Sequence, residues 1–154
     1  MHQSQFEQSL QIGITAENLV HDYLTARFQY VQDCRKQRHE YMNGPSLTGT
    51  SGRLILPDFV VYDAVAGNWA IDSKFKSSVY PIQGRHCFTV DYDKLQDYMN
   101  AAAVMRLDGV QLLFVYNGGI YSYLSTDMAG THAFNNKYGS IAALYEYDSR
   151  RRIA

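Results

Sequence analysis

A carboxylate in the middle of an apolar strand constrains this chain more than any other feature. Leu54-Ile-Leu-Pro-Asp-Phe-Val-Val-Tyr62 is a run of strand-forming residues interrupted only by Pro57-Asp58. Burying Asp58 is costly unless something pairs with it. After a turn at Asp63-Ala-Val-Ala-Gly-Asn68, Trp69-Ala-Ile-Asp-Ser-Lys-Phe-Lys76 reads as the next strand. Strand alternation puts Asp72, Lys74 and Lys76 on one face and Ile71, Ser73 and Phe75 on the other. Asp58, followed 14 residues later by Asp72-x-Lys74, predicts a metal site of two carboxylates with a lysine beside it.

The flanking elements follow from periodicity. Ala16, Leu19, Val20, Tyr23 and Leu24 form an apolar helical stripe. Thr15 is a candidate N-cap, and Gly13 predicts a break that leaves residues 1 to 12 as a frayed arm or an earlier helical turn. Glu17 lies on the shoulder of the stripe, where it can reach the edge of a sheet or simply be solvated. His21, four residues on, reads as an extra metal ligand or a packing residue. Phe28 to Cys34 reads as a first strand, followed by the basic cluster Arg35, Lys36 and Arg38. Residues 43 to 53 are rich in turn formers without periodicity and predict a mobile loop. That loop is either a substrate-contacting flap, with Arg53 meeting a phosphate, or plain surface.

Ser77 to Val90 reads as irregular. Asp91 then caps a helix from about Tyr92 to Leu107, with Leu95, Tyr98, Met99 and Ala102 buried and Gly109 as a left-handed C-cap. Val110 to Tyr116 is a buried strand. Asn117-Gly118 signals a hairpin, and Ile120 to Ser125 returns. Residues 126 to 139 read as a long polar connection, and Ile141 to Tyr147 as strand or short helix. The order is helix, three strands, helix, two strands. This predicts a single α/β domain over residues 1 to 154 with a mixed central sheet flanked by helices.

Composition narrows the class. Hydrophobic residues make up 46% and charged residues 19%, ordinary for a globular protein. No apolar run approaches the roughly 18 residues of a membrane span, so no membrane partner is expected. Cys34 and Cys87 lack metal-ligand spacing and read as free thiols. With no signal-type apolar core at the N-terminus, the expected compartment is the cytoplasm. The net charge of −1 is low for a nucleic-acid binder, but the cations are clustered and metal-binding carboxylates lower the total. Gly-x-Ser-x-Gly, His-Glu-x-x-His and Cys-x-x-Cys are absent.

Pro57-Asp58 followed by Asp72-Ser73-Lys74, with Ala16-Glu17-Asn18-Leu19-Val20 on a preceding helix, resembles the PD-(D/E)XK nuclease superfamily. That group includes restriction endonucleases and Holliday-junction resolvases, and the likeness covers roughly residues 10 to 125. It implies a restriction endonuclease-like αβββαβ core and a metal-dependent DNA endonuclease. Junction-resolving or nicking activity, in a phage or mobile element and as a homodimer, is the first expectation. It further implies Asp58, Asp72, the Ser73 carbonyl and Glu17 as metal ligands for Mg²⁺, with Mn²⁺ able to substitute, and Lys74 as the catalytic lysine. Lys76, Arg53, Arg35, Lys36 and Arg38 are the expected nucleic-acid contacts.

The chemistry is consistent with the residue types. Two carboxylates about 4 Å apart at an effective dielectric near 20 repel by roughly 4 kcal/mol, and a divalent cation reverses that sign. Lys74 can orient the attacking water or stabilise the developing charge, or serve as a structural ion pair. Two other readings stay open at this point: a non-catalytic nucleic-acid-binding or regulatory module, and an RNA endonuclease with the same site.

Overall fold

The computed structural model describes residues 4–37, 45–135 and 139–154. The first helix, α1 (Gln5–Arg27), starts well before Thr15. Ser4 Oγ accepts the Glu7 N–H at 3.1 Å, and the Glu7 carboxylate accepts the Ser4 N–H at 3.3 Å, a reciprocal cap. Thr15, expected as the cap, sits inside the helix and donates its hydroxyl to the Gln11 carbonyl. The expected break at Gly13 does not occur. A mid-helix glycine costs about 1 kcal/mol relative to Ala, and a good N-cap contributes about as much.

The remaining elements are β1 (Tyr30–Asp33), β2 (Ser46–Gly49), β3 (Gly52–Ile55), β4 (Phe59–Tyr62), β5 (Trp69–Phe75), β6 (Tyr80–Ile82), β7 (Arg85–Asp91), α2 (Tyr92–Val104), β8 (Gly109–Tyr116), β9 (Gly119–Leu124), β10 (Gly130–Ala133) and β11 (Ile141–Glu146). Five strands make a mixed sheet in the order β1-β4-β5-β8-β9. The β5–β8 pair is parallel, as a crossover through α2 requires, and the other pairs are antiparallel. The chain is therefore a mixed α/β protein, as its periodicities predicted.

Each face of that sheet is covered differently. Ala16, Val20 and Leu24 of α1 pack on Phe59, Val61, Ile71, Leu113 and Val115. The opposite face carries α2 and a second sheet, ordered β10-β11-β7-β6. Much of that interface is aromatic. Phe88 stacks on Phe114 with ring centroids 4.6 Å apart, and Tyr116, Tyr121, Tyr123 and Tyr147 crowd around it. The hydroxyls of Tyr123 and Tyr145 bond the Glu146 and Ser125 carbonyls, so burial leaves those donors satisfied. Many tyrosines thus serve as the filling between two sheets.

The second sheet was not legible in the sequence. Ser77 to Val90, expected to be irregular, contains the β6–β7 hairpin, turned at Gln83 and Gly84, both with positive φ. In β7, Phe88 faces the aromatic layer while Cys87 packs with Ile82, Ala142 and Leu144 on the other side. A strand buried on both faces does not alternate. The expected polar connection 126 to 139 holds β10, and β11 resolves the ambiguity at 141 to 147 in favour of strand.

Candidate active site

The site forms where two paired strands part. The β4–β5 ladder ends at Phe59 opposite Ile71. One step before it the chain turns away, because the Asp58 carbonyl accepts the Cys34 N–H at 3.0 Å and Leu56 N–H bonds the Pro45 carbonyl at 2.8 Å. Pro57 between them has no N–H to give a ladder. The Asp58 side chain takes the vacated place: its Oδ2 accepts the Ser73 backbone N–H at 3.0 Å and the Ser73 hydroxyl at 3.2 Å. Lys76 N–H bonds Val115 of β8, so strand alternation turns Ser73, with its amide and carbonyl, toward Asp58.

Asp72 lies one residue earlier on β5 and is 0% exposed, and Asp58 is 8% exposed. Both Asp72 carboxylate oxygens are buried, and neither accepts a hydrogen bond among the described residues. Lys74 Nζ stands 3.4 Å from Asp72 Oδ2, an ion pair that lacks hydrogen-bond alignment. The same ammonium lies 5.8 Å from the Tyr98 ring centroid, on the buried face of α2. The expected shared face of Asp72 and Lys74 is what brings this pair together.

The electrostatics follow from that geometry. Burial, and then the charge of Asp72, push the Asp58 carboxyl up to about 7, against the pull of Lys74 and the Ser73 N–H. Asp72 raises the Lys74 ammonium above its ordinary value, with burial opposing and Asp58 and Glu17 adding. Tyr98 is pushed upward by burial and then by Asp72 and Asp58. Tyr98 is the neighbour that periodicity counted only as core. A tyrosine in a buried helical stripe needs a partner for its hydroxyl, and that was the signal available.

Glu17 approaches from α1 and is engaged. Its Oε2 is 3.5 Å from Arg35 Nη1. Arg35 also forks onto Asp33 at 2.8 and 2.9 Å, bonds Asn18 Oδ1 at 2.9 Å, and lies over the Phe59 ring at 4.8 Å. Arg35 holds Asp33 below the usual carboxylate range. The Arg35 guanidinium, expected as a nucleic-acid contact, is therefore occupied by the chain's own acceptors. His21 stacks on the same Phe59 ring, with centroids 5.7 Å apart, in keeping with the packing alternative. Lys76 Nζ donates to the Thr89 carbonyl of β7, and burial lowers its pKa to about 8. Arg53 is exposed on β3. The side chain of Lys36 and the whole of Arg38 lie outside the described residues.

Among the described residues no group of three or more His, Cys, Asp or Glu side chains converges as a metal-binding cluster. What stand together are the buried Asp58 and Asp72 carboxylates, with Ser73 bonded to Asp58 and Lys74 beside Asp72. Oxygen donors of this kind suit hard divalent cations. The chain matches no family model, no curated protein and no solved structure with which it was compared.

Proposed function

We propose that this chain is a metal-dependent endonuclease that hydrolyses phosphodiester bonds in DNA. The observation that carries the reading is the Asp72 carboxylate, fully buried with neither oxygen accepting a well-aligned hydrogen bond among the described residues, beside Asp58 and Lys74. A buried carboxylate without hydrogen bonds is costly. A divalent cation would supply what both oxygens lack. Support also comes from the main sheet: with the β2–β3 and β6–β7 pairs set aside as insertions, its strands and the two helices run α1, β1, β4, β5, α2, β8, the order that an αβββαβ core would require.

In this reading Asp58, Asp72 and the Ser73 carbonyl hold Mg²⁺, and Mn²⁺ substitutes for it. Glu17 is the further acidic ligand, directly or through water. The bound ion would lower the pKa of a water and neutralise phosphate charge. The residues do the rest. Ser73 fixes the Asp58 carboxylate through two hydrogen bonds. Asp72 holds Lys74 on the same strand face, where its ammonium can orient the attacking water or meet charge developing on the phosphate. A domain this small carries one such site, so cutting both strands of a duplex calls for a pair of copies.

A second reading is a non-catalytic nucleic-acid-binding module. The Lys74–Asp72 and Arg35–Glu17 pairs favour it, because each gives a carboxylate a cationic partner without metal. The two are separated by comparing the wild type with Lys74→Ala. Substrates are supercoiled plasmid, linear duplex, single strands, a four-way junction and RNA, each with Mg²⁺ and with EDTA. Cleavage that needs metal and falls at least a hundredfold in the variant is expected for the nuclease. Binding without cleavage on every substrate would replace it with the module.

A further inference from the structure

Before Asp58, residues 46 to 53 of the expected loop and Leu54 and Ile55 of the expected Leu54–Tyr62 strand form a two-stranded antiparallel ribbon. Its root is firmly held. Leu56 N–H closes it onto the Pro45 carbonyl at 2.8 Å, Ile55 packs against the aromatic core, and Leu54 packs against Cys34, Leu56 and Val60. Its tip is clear of the protein. Residues 47 to 53 are all exposed, and a Cβ added at Gly49 or Gly52 would meet nothing within 4 Å. Thr48 and Arg53 are cross-strand partners and share one face.

Arg53 differs from the other cations near the site. Arg35 is spent on Asp33, Asn18 and Glu17, Lys74 on Asp72, and Lys76 on Thr89. Arg53 makes no hydrogen bond, ion pair or ring contact among the described residues. Its five donors are free and form a planar fork.

We infer that the β2–β3 ribbon enters the major groove of duplex DNA and reads base edges there, with Arg53 as the principal reader and Thr48 beside it. This rests on the nucleic-acid reading of the site above. The dimensions agree. Two strands about 4.8 Å apart, four residues or ~13 Å long, fit a groove about 12 Å wide and 8.5 Å deep. Gly49, Thr50, Ser51 and Gly52 at the tip keep it narrow. A guanidinium pairs bidentately with guanine N7 and O6, and a threonine serves either base-edge hydrogen bonds or a thymine methyl. The rigid root runs straight into Pro57-Asp58, so the base read and the bond presented to Asp58 are set at a fixed separation.

The test is selection of bound sequences from a randomised duplex pool by the wild type, Arg53→Ala and Arg53→Lys. Melting temperature checks that each variant folds, and a parallel selection uses RNA duplex. The wild type is expected to enrich a motif containing guanine by about tenfold or more. Arg53→Ala should erase that guanine while still binding DNA, and Arg53→Lys should not restore it, since an ammonium cannot form the fork. Three outcomes overturn the inference and leave nucleic-acid binding intact. They are enrichment unchanged in Arg53→Ala, wild-type binding without any motif, and a variant that loses affinity equally for all sequences, which marks a phosphate contact. Absence of wild-type binding to any duplex also overturns it, whereas the functional reading falls only if cleavage is absent on single strands and the four-way junction as well.

Discussion

The surroundings of Asp58 oppose its ionisation, and this makes its protonation a stability effect. Its folded pKa, about 7, lies above the ordinary value of 3.8. The folded state therefore holds a proton that the unfolded chain has already lost between those values. The stabilisation is complete below about pH 4 and disappears as pH rises through 7, an effect on the order of a few kcal/mol. In EDTA, the wild type should lose melting temperature from pH 4.5 to 7.5 more steeply than Asp58→Asn, which has no such proton. Mg²⁺ at pH 7.5 should recover the loss in the wild type only. Identical pH slopes for the two proteins would mean that Asp58 ionises freely. At this scale much of the site was legible, because the Asp72–Lys74 contact depends only on period-two alternation. What Arg35 touches was not legible, because Glu17, Asn18 and Phe59 reach it from α1 and β4.

The element scale shows where local signals compete. Thr15 offered a cap and Gly13 a break, yet α1 runs through both because Ser4 and Glu7 form a better start. Gly13→Ala is accordingly expected to stabilise the protein by about 1 kcal/mol, since the helix is continuous and the new methyl meets nothing. Chemical denaturation reads this directly, and a neutral or destabilising result would place the helix start after Gly13. Helix α2 was simpler. Asp91 accepts the Asp93 and Lys94 N–H groups as its cap, and Leu95, Tyr98 and Ala102 of the expected stripe are buried, while Met99, expected with them, is 40% exposed. By contrast β7 and β11 have buried residues on both faces, so no single period marks them, and their register depends on partners distant in sequence.

At the scale of the molecule, the main sheet has an edge that is covered late in the chain. Arg152 bridges Tyr121, Ile153 N–H bonds the Ile120 carbonyl, and Ile120 N–H bonds the Ala154 carbonyl. Ile153 also packs against the core under α1. Removing residues 152–154 would bare the backbone edge of β9. The shortened protein is expected to melt several degrees lower and to associate at concentrations where the full chain stays monodisperse by light scattering. Unchanged melting and scattering would show that the strap is dispensable.

The sequence by itself determined what depends on neighbours along the chain: the period of α2, the Asn117-Gly118 hairpin, the shared face of Asp72 and Lys74, and the mixed α/β class. Only the tertiary structure decided where β4 leaves β5 so that a carboxylate completes the ladder, which cation holds Glu17, and that the tyrosines lie between two sheets. These are contacts between segments far apart in the chain. Their selection rests on burial and on satisfying polar groups in three dimensions, which no local period encodes.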